Sequence, residues 1–383
     1  MSELSHAPPN LMCSEEEATR REEEMDVSMY EATDATLSLP VNKRRIDRRR
    51  AVAKYRRSAA GRDIQAEAFQ RPLPALLDTT RYLLTLFMRE TGLGCKQPRV
   101  GGSTHDAYTF VEDRLRAVRQ SLVVQHMSHK EDAILILEAT ARFYILSGHL
   151  LQNASVLEQP QPFDSHLLQS QLNGVMASLT EQHQAGKGSI DEFSCYRMLL
   201  SLGQAVRGDH HSGSAAATLG LCCSQSAAGV GSLSQLLRSI VVSYEGGALD
   251  SPRMTFALRC VTSCLQGNYR QFLQGLKEAT PLENCLLTTI AESTRVHCLL
   301  CVNKGFGKGE KVPIVGATFT RVLFFFNLQL ITHQGPPPSP PGGHEKAPVT
   351  GQCDSCRELL LGLLFVASRW SSFNEDRTSP AAT

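Results

Sequence analysis

From about residue 74 onward, apolar residues recur three and four positions apart. Segment 74–91 opens at Pro74 and places Leu77, Leu84 and Met88 near one face of a helix. Over 104–127, Val111, Leu115, Val118 and Leu122 follow at spacings of four, three and four, the stripe of an amphipathic helix. Over 130–152, Ile134, Leu137, Ala141, Tyr144, Gly148 and Leu151 repeat it, and the small Ala141 and Gly148 predict close approach of a neighbouring helix. Pro160 and Pro162 interrupt the chain. Stripes return over 164–184 (Leu168, Leu172, Val175, Leu179) and 189–206 (Phe193, Tyr196, Leu200). Further helices are predicted over 232–243, 252–266, 268–278 and 282–303. Ser251 serves as N-cap ahead of Pro252, Asn268 follows Gly267, and Pro281 precedes the last. No segment alternates with the period of a strand. Short loops between the helices predict antiparallel pairs stacked as a solenoid, although no strict residue period runs through them.

The remaining segments read differently. Residues 208–232 are rich in Gly, Ala and Ser, hold His210, His211, Cys222 and Cys223, and are predicted to be a flexible insertion. Residues 335–348 are a Pro/Gly-rich linker, and an unstructured tail is expected to the end of the chain. The first sixty residues are strongly segregated by charge. Segment 13–34 holds nine acids against Arg20 and Arg21, and segment 42–62 holds ten bases against Asp47. Neither block carries enough apolar residues for a core of its own, so each is expected to be a solvated helix or an extended arm lying on something else. Because the blocks nearly cancel, the net charge of +1 conceals them.

Composition narrows the function classes. The chain has 383 residues, 42% hydrophobic and 20% charged, which suits a folded protein and excludes a globally basic nucleic-acid binder. The sequence carries no apolar leader at its start, and no run of about 18 apolar residues, so neither secretion nor a membrane span is expected. The 12 cysteines are accordingly read as reduced thiols of a cytosolic or nuclear protein. Aromatic residues are only 6%, with a single Trp370, which argues against an aromatic platform for bases or sugars.

Candidate chemistry is sparse. Cys298 and Cys301 form one CxxC pair, and Cys353 and Cys356 another, but 51 residues separate them, far more than two zinc knuckles need. The first pair lies in an apolar helix and reads as core. Cys353 and Cys356 lie in polar sequence and are the better metal candidates, yet one pair cannot complete a tetrahedral site. GxSxG, HExxH and the phosphate-binding GxxxxGK[ST] are all missing. His126, His129 and His149 stand singly on helices. No enzyme, cofactor or small-molecule substrate is expected. The strongest electrostatic feature is the basic block, Lys43, Arg44, Arg45, Arg48, Arg49, Arg50, Lys54, Arg56 and Arg57, continued by Arg62. It suits phosphates, an acidic partner, a nuclear-localisation signal, the chain's own acidic block, or simply a solvated face. Tyr55 is its only aromatic residue, so base stacking is poorly supported.

The order of short motifs resembles one known family. Met12-Cys13-Ser14-Glu15-Glu16-Glu17 and Arg20-Arg21-Glu22 resemble the "MCPxxER…RE" opening of the Sac-three/GANP/THP-three family, with Ser14 in place of its proline. Ile46-Asp47 and Ala51 through Gly61 resemble its "D…AVKxYxRSAAG" segment. Leu73-Pro74 with Tyr82-Leu83 resembles its "LRP…YL" helix. Phe110 through Gln120 resembles "FxxDRxRAxRQD", and Glu138 through Leu150 resembles "EKxxRFHIxxxHL". Gly267-Asn268-Tyr269 and Asn303-Lys304-Gly305-Phe306 resemble its later helices and the start of its winged helix. The likeness covers about residues 12–330, and Pro336-Pro337-Pro338 then cut the wing short.

The resemblance implies an all-α, TPR/PCI-like helical-repeat superhelix with a C-terminal winged-helix-like segment. The expected organisation is a charged arm over 1–70, the helical-repeat domain over 71–303, the winged-helix-like segment over 304–334 and a linker and tail over 335–383. It further implies protein partners. Longer relatives hold a PCI-type protein and a small acidic Sem/DSS-type protein in the TREX-two mRNA-export complex, whose wings contact nucleic acid. The family's short member is associated with centrosome duplication, spindle assembly and mitosis. Cytoplasm, centrosome and spindle, with a nuclear pool, are the expected locations.

Overall fold

In the computed structural model the described residues are 12–57, 71–94, 97–153, 164–208, 238 and 251–295, apart from 289, 292 and 293. They are helical, with no β-strand among them; an isolated antiparallel bridge joins Ala32 to Ile46. The predicted helix 232–243 beyond Arg238, the insertion after residue 208, the Cys298/Cys301 pair, the winged-helix-like segment, and Cys353 and Cys356 lie outside the described residues.

The described chain falls into two compact units, divided between Ser189 and Ile190. In the first, α1 (Glu15–Glu23) leads into an irregular segment that includes a 3-10 turn at Val41–Lys43. Four long helices follow: α2 (Leu73–Glu90), α3 (Thr104–Val124), α4 (Glu131–Asn153) and α5 (Ser165–Gln184). Each start has a local cause. Pro74 occupies the first turn of α2, where its missing N–H costs nothing. Ser103 and Asp106 make a reciprocal capping box on α3. The Asp164 carboxylate accepts the His166 and Leu167 N–H groups at the head of α5.

The stripes face inward as their spacing predicts. Val111, Leu115, Val118 and Leu122 of α3 are all fully buried. α2, α3 and α4 pack on one another, and α5 packs on α4. At the junction of the first three, the Phe143 ring meets Phe87 edge-on at 4.9 Å and stacks on Tyr108 at 5.8 Å. Burying each such ring is worth about 2–3 kcal/mol, so the apolar faces dominate assembly. Gly148 faces Leu168 of α5, and an added Cβ would sit in ordinary contact, 3.4 Å from its methyl. On length and composition alone α4 would reach across a bilayer, but most of it is buried inside the unit, so it is a core helix here.

The second unit holds α6 (Ile190–Gly208), α7 (Pro252–Leu265) and α8 (Tyr269–Gly275), then helical residues at 281–288. Ser251 caps α7 ahead of Pro252, and Asn268 caps α8. α6 and α8 both pack on α7, around Cys195, Met198, Leu202, Cys260, Phe272 and Leu287. The described cysteines, Cys13, Cys195, Cys260, Cys264 and Cys285, are all buried.

Candidate interaction surface on the amino-terminal segment

The two charged blocks pair with each other. The Ala32–Ile46 bridge is extended by Thr33 N–H donating to Arg45 O at 2.9 Å and by Asp47 N–H donating to Glu31 O at 2.8 Å. Cys13, Ala18, Val27 and Ala32 from the acidic side meet Ile46 and Ala51 from the basic side in a small apolar cluster. Neither block builds a core alone, as their composition requires, but together they do.

At the centre is a buried charge triad. Arg21 of α1 donates to both carboxylate oxygens of Glu31, and Arg114 of α3 donates to the same carboxylate at 3.0 Å. Their side chains are 2%, 0% and 5% exposed. Glu31 Oε1 also accepts the Val52 N–H at 2.9 Å, and Arg114 is held at 2.5 Å by Asp113. Burial alone would favour a neutral Arg21; the Glu31 carboxylate more than reverses this and raises the guanidinium above its ordinary range. The segment is thus docked on α3 by ionic contacts from inside.

Residues 51–57 run between α1 and α3. Ala53 N–H donates to Met12 O, Lys54 N–H to Glu17, and Tyr55 N–H to Asp113 at 3.3 Å. Gln120 donates to Arg56 O, and the Arg116 guanidinium covers the Tyr55 ring at 4.1 Å. Arg71, 1% exposed, has no carboxylate partner among the described residues. It donates to Met12 O, Ala117 O and Ser121 Oγ, and burial pushes its pKa down to about 10.

The nine cations singled out in the sequence divide into two sets. Arg48 pairs with Glu15 at 2.8 Å and Glu22 at 3.6 Å. Arg50 chelates Asp34 at 2.8 and 3.1 Å, holding that carboxyl below its usual range. Lys54 pairs with Asp26 at 2.8 Å, and Arg56 with Glu17 at 3.6 Å. Lys43, Arg44, Arg45, Arg49 and Arg57 have no carboxylate partner among the described residues, and Arg44 donates to Leu39 O. The block is therefore not one uniform cationic arm. Sequence reasoning missed the triad because Arg21 and Glu31 are charged. The available signal was the apolar company on either side, Ala18 before Arg21, and Tyr30 and Ala32 around Glu31. Among the described residues, no group of three or more His, Cys, Asp or Glu is placed to hold a metal ion.

Residues 12–334 match the profile of the SAC3/GANP family. The chain belongs to the SAC3/GANP family. A curated relative, SAC3 family protein B of Arabidopsis thaliana, is 27% identical over 313 residues, covering 79% of this chain but only 16% of that protein. No solved structure matches. Membership of the SAC3/GANP family supports a scaffold or adaptor role in general. Several residues that carried the resemblance, Arg21, Tyr55, Asp113, Arg114 and Gln120, are those that dock the amino-terminal segment.

Proposed function

We propose that this SAC3/GANP chain is a non-catalytic helical scaffold that acts by protein–protein contact in centrosome duplication, spindle assembly and mitotic progression. The observation that carries the scaffold reading is the family match over 12–334, joined to helical units whose buried polar groups serve packing. The mitotic setting extends from the resemblance to the family's short member, and with it a location at the centrosome and spindle. The test is affinity purification of the tagged full chain from mitotic and interphase cells, with mass spectrometry. Pericentriolar proteins enriched in mitosis are the expected result.

A second reading is an adaptor in nuclear mRNA export, holding a PCI-type protein and a small acidic Sem/DSS-type protein and touching RNA through the basic arm. What favours it is the set Lys43, Arg44, Arg45, Arg49 and Arg57, free of carboxylate partners among the described residues. Those two partner types in the purification would support it. So would salt-sensitive RNA binding weakened by replacing Lys43, Arg45, Arg49 and Arg57. Joint replacement of Arg48, Arg49 and Arg50 is a poorer probe, because Arg48 and Arg50 also hold the segment together.

A further inference from the structure

Five large hydrophobic side chains stand exposed among the described residues, and two of them, Leu39 (38%) and Val41 (48%), are neighbours on one loop. That loop is pinned at its base. The Ala32–Ile46 bridge closes it, Thr36 Oγ1 accepts the Arg45 N–H at 3.0 Å, and Leu39 N–H donates to Thr36 O. Lys43 N–H donates to Pro40 O, and the Arg44 guanidinium folds back onto Leu39 O at 3.1 Å. Yet every residue from Ser38 to Lys43 is exposed. The protein holds an ordered loop with an aliphatic tip that nothing described covers. Ordering backbone costs about 1–2 kcal/mol per residue, and burial of the tip within the chain does not offset that cost here.

The charges around the tip decide what would cover it. Lys43, Arg45 and Arg49 are exposed and lack carboxylate partners among the described residues, while Arg48 and Arg50 beside them are ion-paired. An aliphatic anchor rimmed by cations matches the anatomy of a protein interface, with an apolar centre and a polar edge. RNA fits less well. Phosphates gain nothing from Leu39, Pro40 and Val41, and neither flanking aromatic residue is free to stack on a base: Tyr30 is buried against Phe110, and Tyr55 lies under Arg116. We infer that the loop Ser38–Arg49 is a docking element for an acidic protein surface that offers an apolar notch to Leu39 and Val41. The inference rests on the scaffold reading and names one of its contact surfaces.

The test uses the full chain and three labelled probes in fluorescence anisotropy: a synthetic peptide alternating Glu and Leu, poly-glutamate, and oligouridine. The Glu/Leu peptide should bind tightest. Leu39→Ser with Val41→Ser should weaken it about tenfold while leaving poly-glutamate binding unchanged, and Arg45→Glu with Arg49→Glu should weaken both acidic probes more than tenfold. Melting temperatures should stay at the wild-type value, since all four side chains are exposed; if the aliphatic pair lowers it, Val41→Ser alone is read instead. Glu/Leu binding indifferent to the aliphatic change, or oligouridine binding tighter than the peptide, would overturn the inference. Purification of wild type beside the four-residue variant separates the two levels. A wild type that retains no partner removes the scaffold reading itself, whereas a variant that keeps every wild-type partner removes only the loop.

Discussion

Truncating Glu31 would leave Arg21 and Arg114 facing each other in a space from which water is excluded. Breaking a buried pair in this way costs about 3–5 kcal/mol, because Arg21 loses its carboxylate but not its burial and Arg114 is left with Asp113 alone. Glu31→Ala should therefore lower the urea midpoint of the first unit sharply, and Arg21→Met combined with Glu31→Leu should recover much of the loss. Glu90 presents a carboxylate of another kind. Burial would raise its pKa, but the N–H groups of Val100 and Arg99 and the Arg89 guanidinium hold it below the ordinary value of 4.5. A depressed folded pKa contributes stability that is present above the unfolded value and lost as pH falls through the folded one. Glu90→Gln should accordingly flatten the dependence of the melting temperature on pH between roughly pH 5 and pH 3. His126 sits just past the end of α3 with φ of 52°, where the Met127 N–H closes back on Leu122 O. A left-handed residue with a Cβ is strained there, so His126→Gly should stabilise by about 0.5–1 kcal/mol, read from thermal melts.

At the level of elements, α4, α5 and the turn after α5 meet at one buried carboxylate. Glu138 accepts the Ser189 N–H at 2.6 Å and the Arg142 guanidinium at 3.4 Å, with His183 at 3.9 Å. Gly188, at φ of 83°, leaves room for this: a Cβ would lie 2.8 Å from Glu138 Oε1 and 2.9 Å from Ile134. Gly188→Ala combines backbone strain with a clash and should cost about 2–4 kcal/mol, visible as loss of protease resistance in the α5–α6 turn. The helices themselves were legible from spacing, since burial of one face imposes a period of three and four. The cap at Ser251 was legible because a short polar side chain there satisfies an otherwise unbonded N–H; Asn268, read as the first residue of its helix, proves to be the cap before it. The amino-terminal segment was not. It has no period, and a charged residue looks the same in sequence whether it faces water or a buried partner. Arg21 and Arg114 both fall within motifs that carry the family resemblance, but nothing in those motifs pairs them.

Across the whole molecule, a net charge of +1 has a structural origin as well as a numerical one. The acidic block meets the basic block through Arg48, Arg50, Lys54 and Arg56, each on a carboxylate of the opposite block. These pairs are partly exposed, so each is worth little alone and all weaken in salt. Their joint effect is to hold the two blocks together around Glu31 of the buried triad. Reversing all four to Glu sets like charges against Glu15, Asp34, Asp26 and Glu17, and limited proteolysis should then cut within residues 12–57 several times faster than in the wild type. Reversing Lys43, Arg45, Arg49 and Arg57 instead should leave that rate unchanged, because no described carboxylate depends on them. The contrast places docking of the segment and recognition of partners on different cations of the same short stretch. A charge change that abolished binding while leaving the cleavage rate alone would therefore act on recognition, and equal effects of the two sets on cleavage would dissolve the distinction.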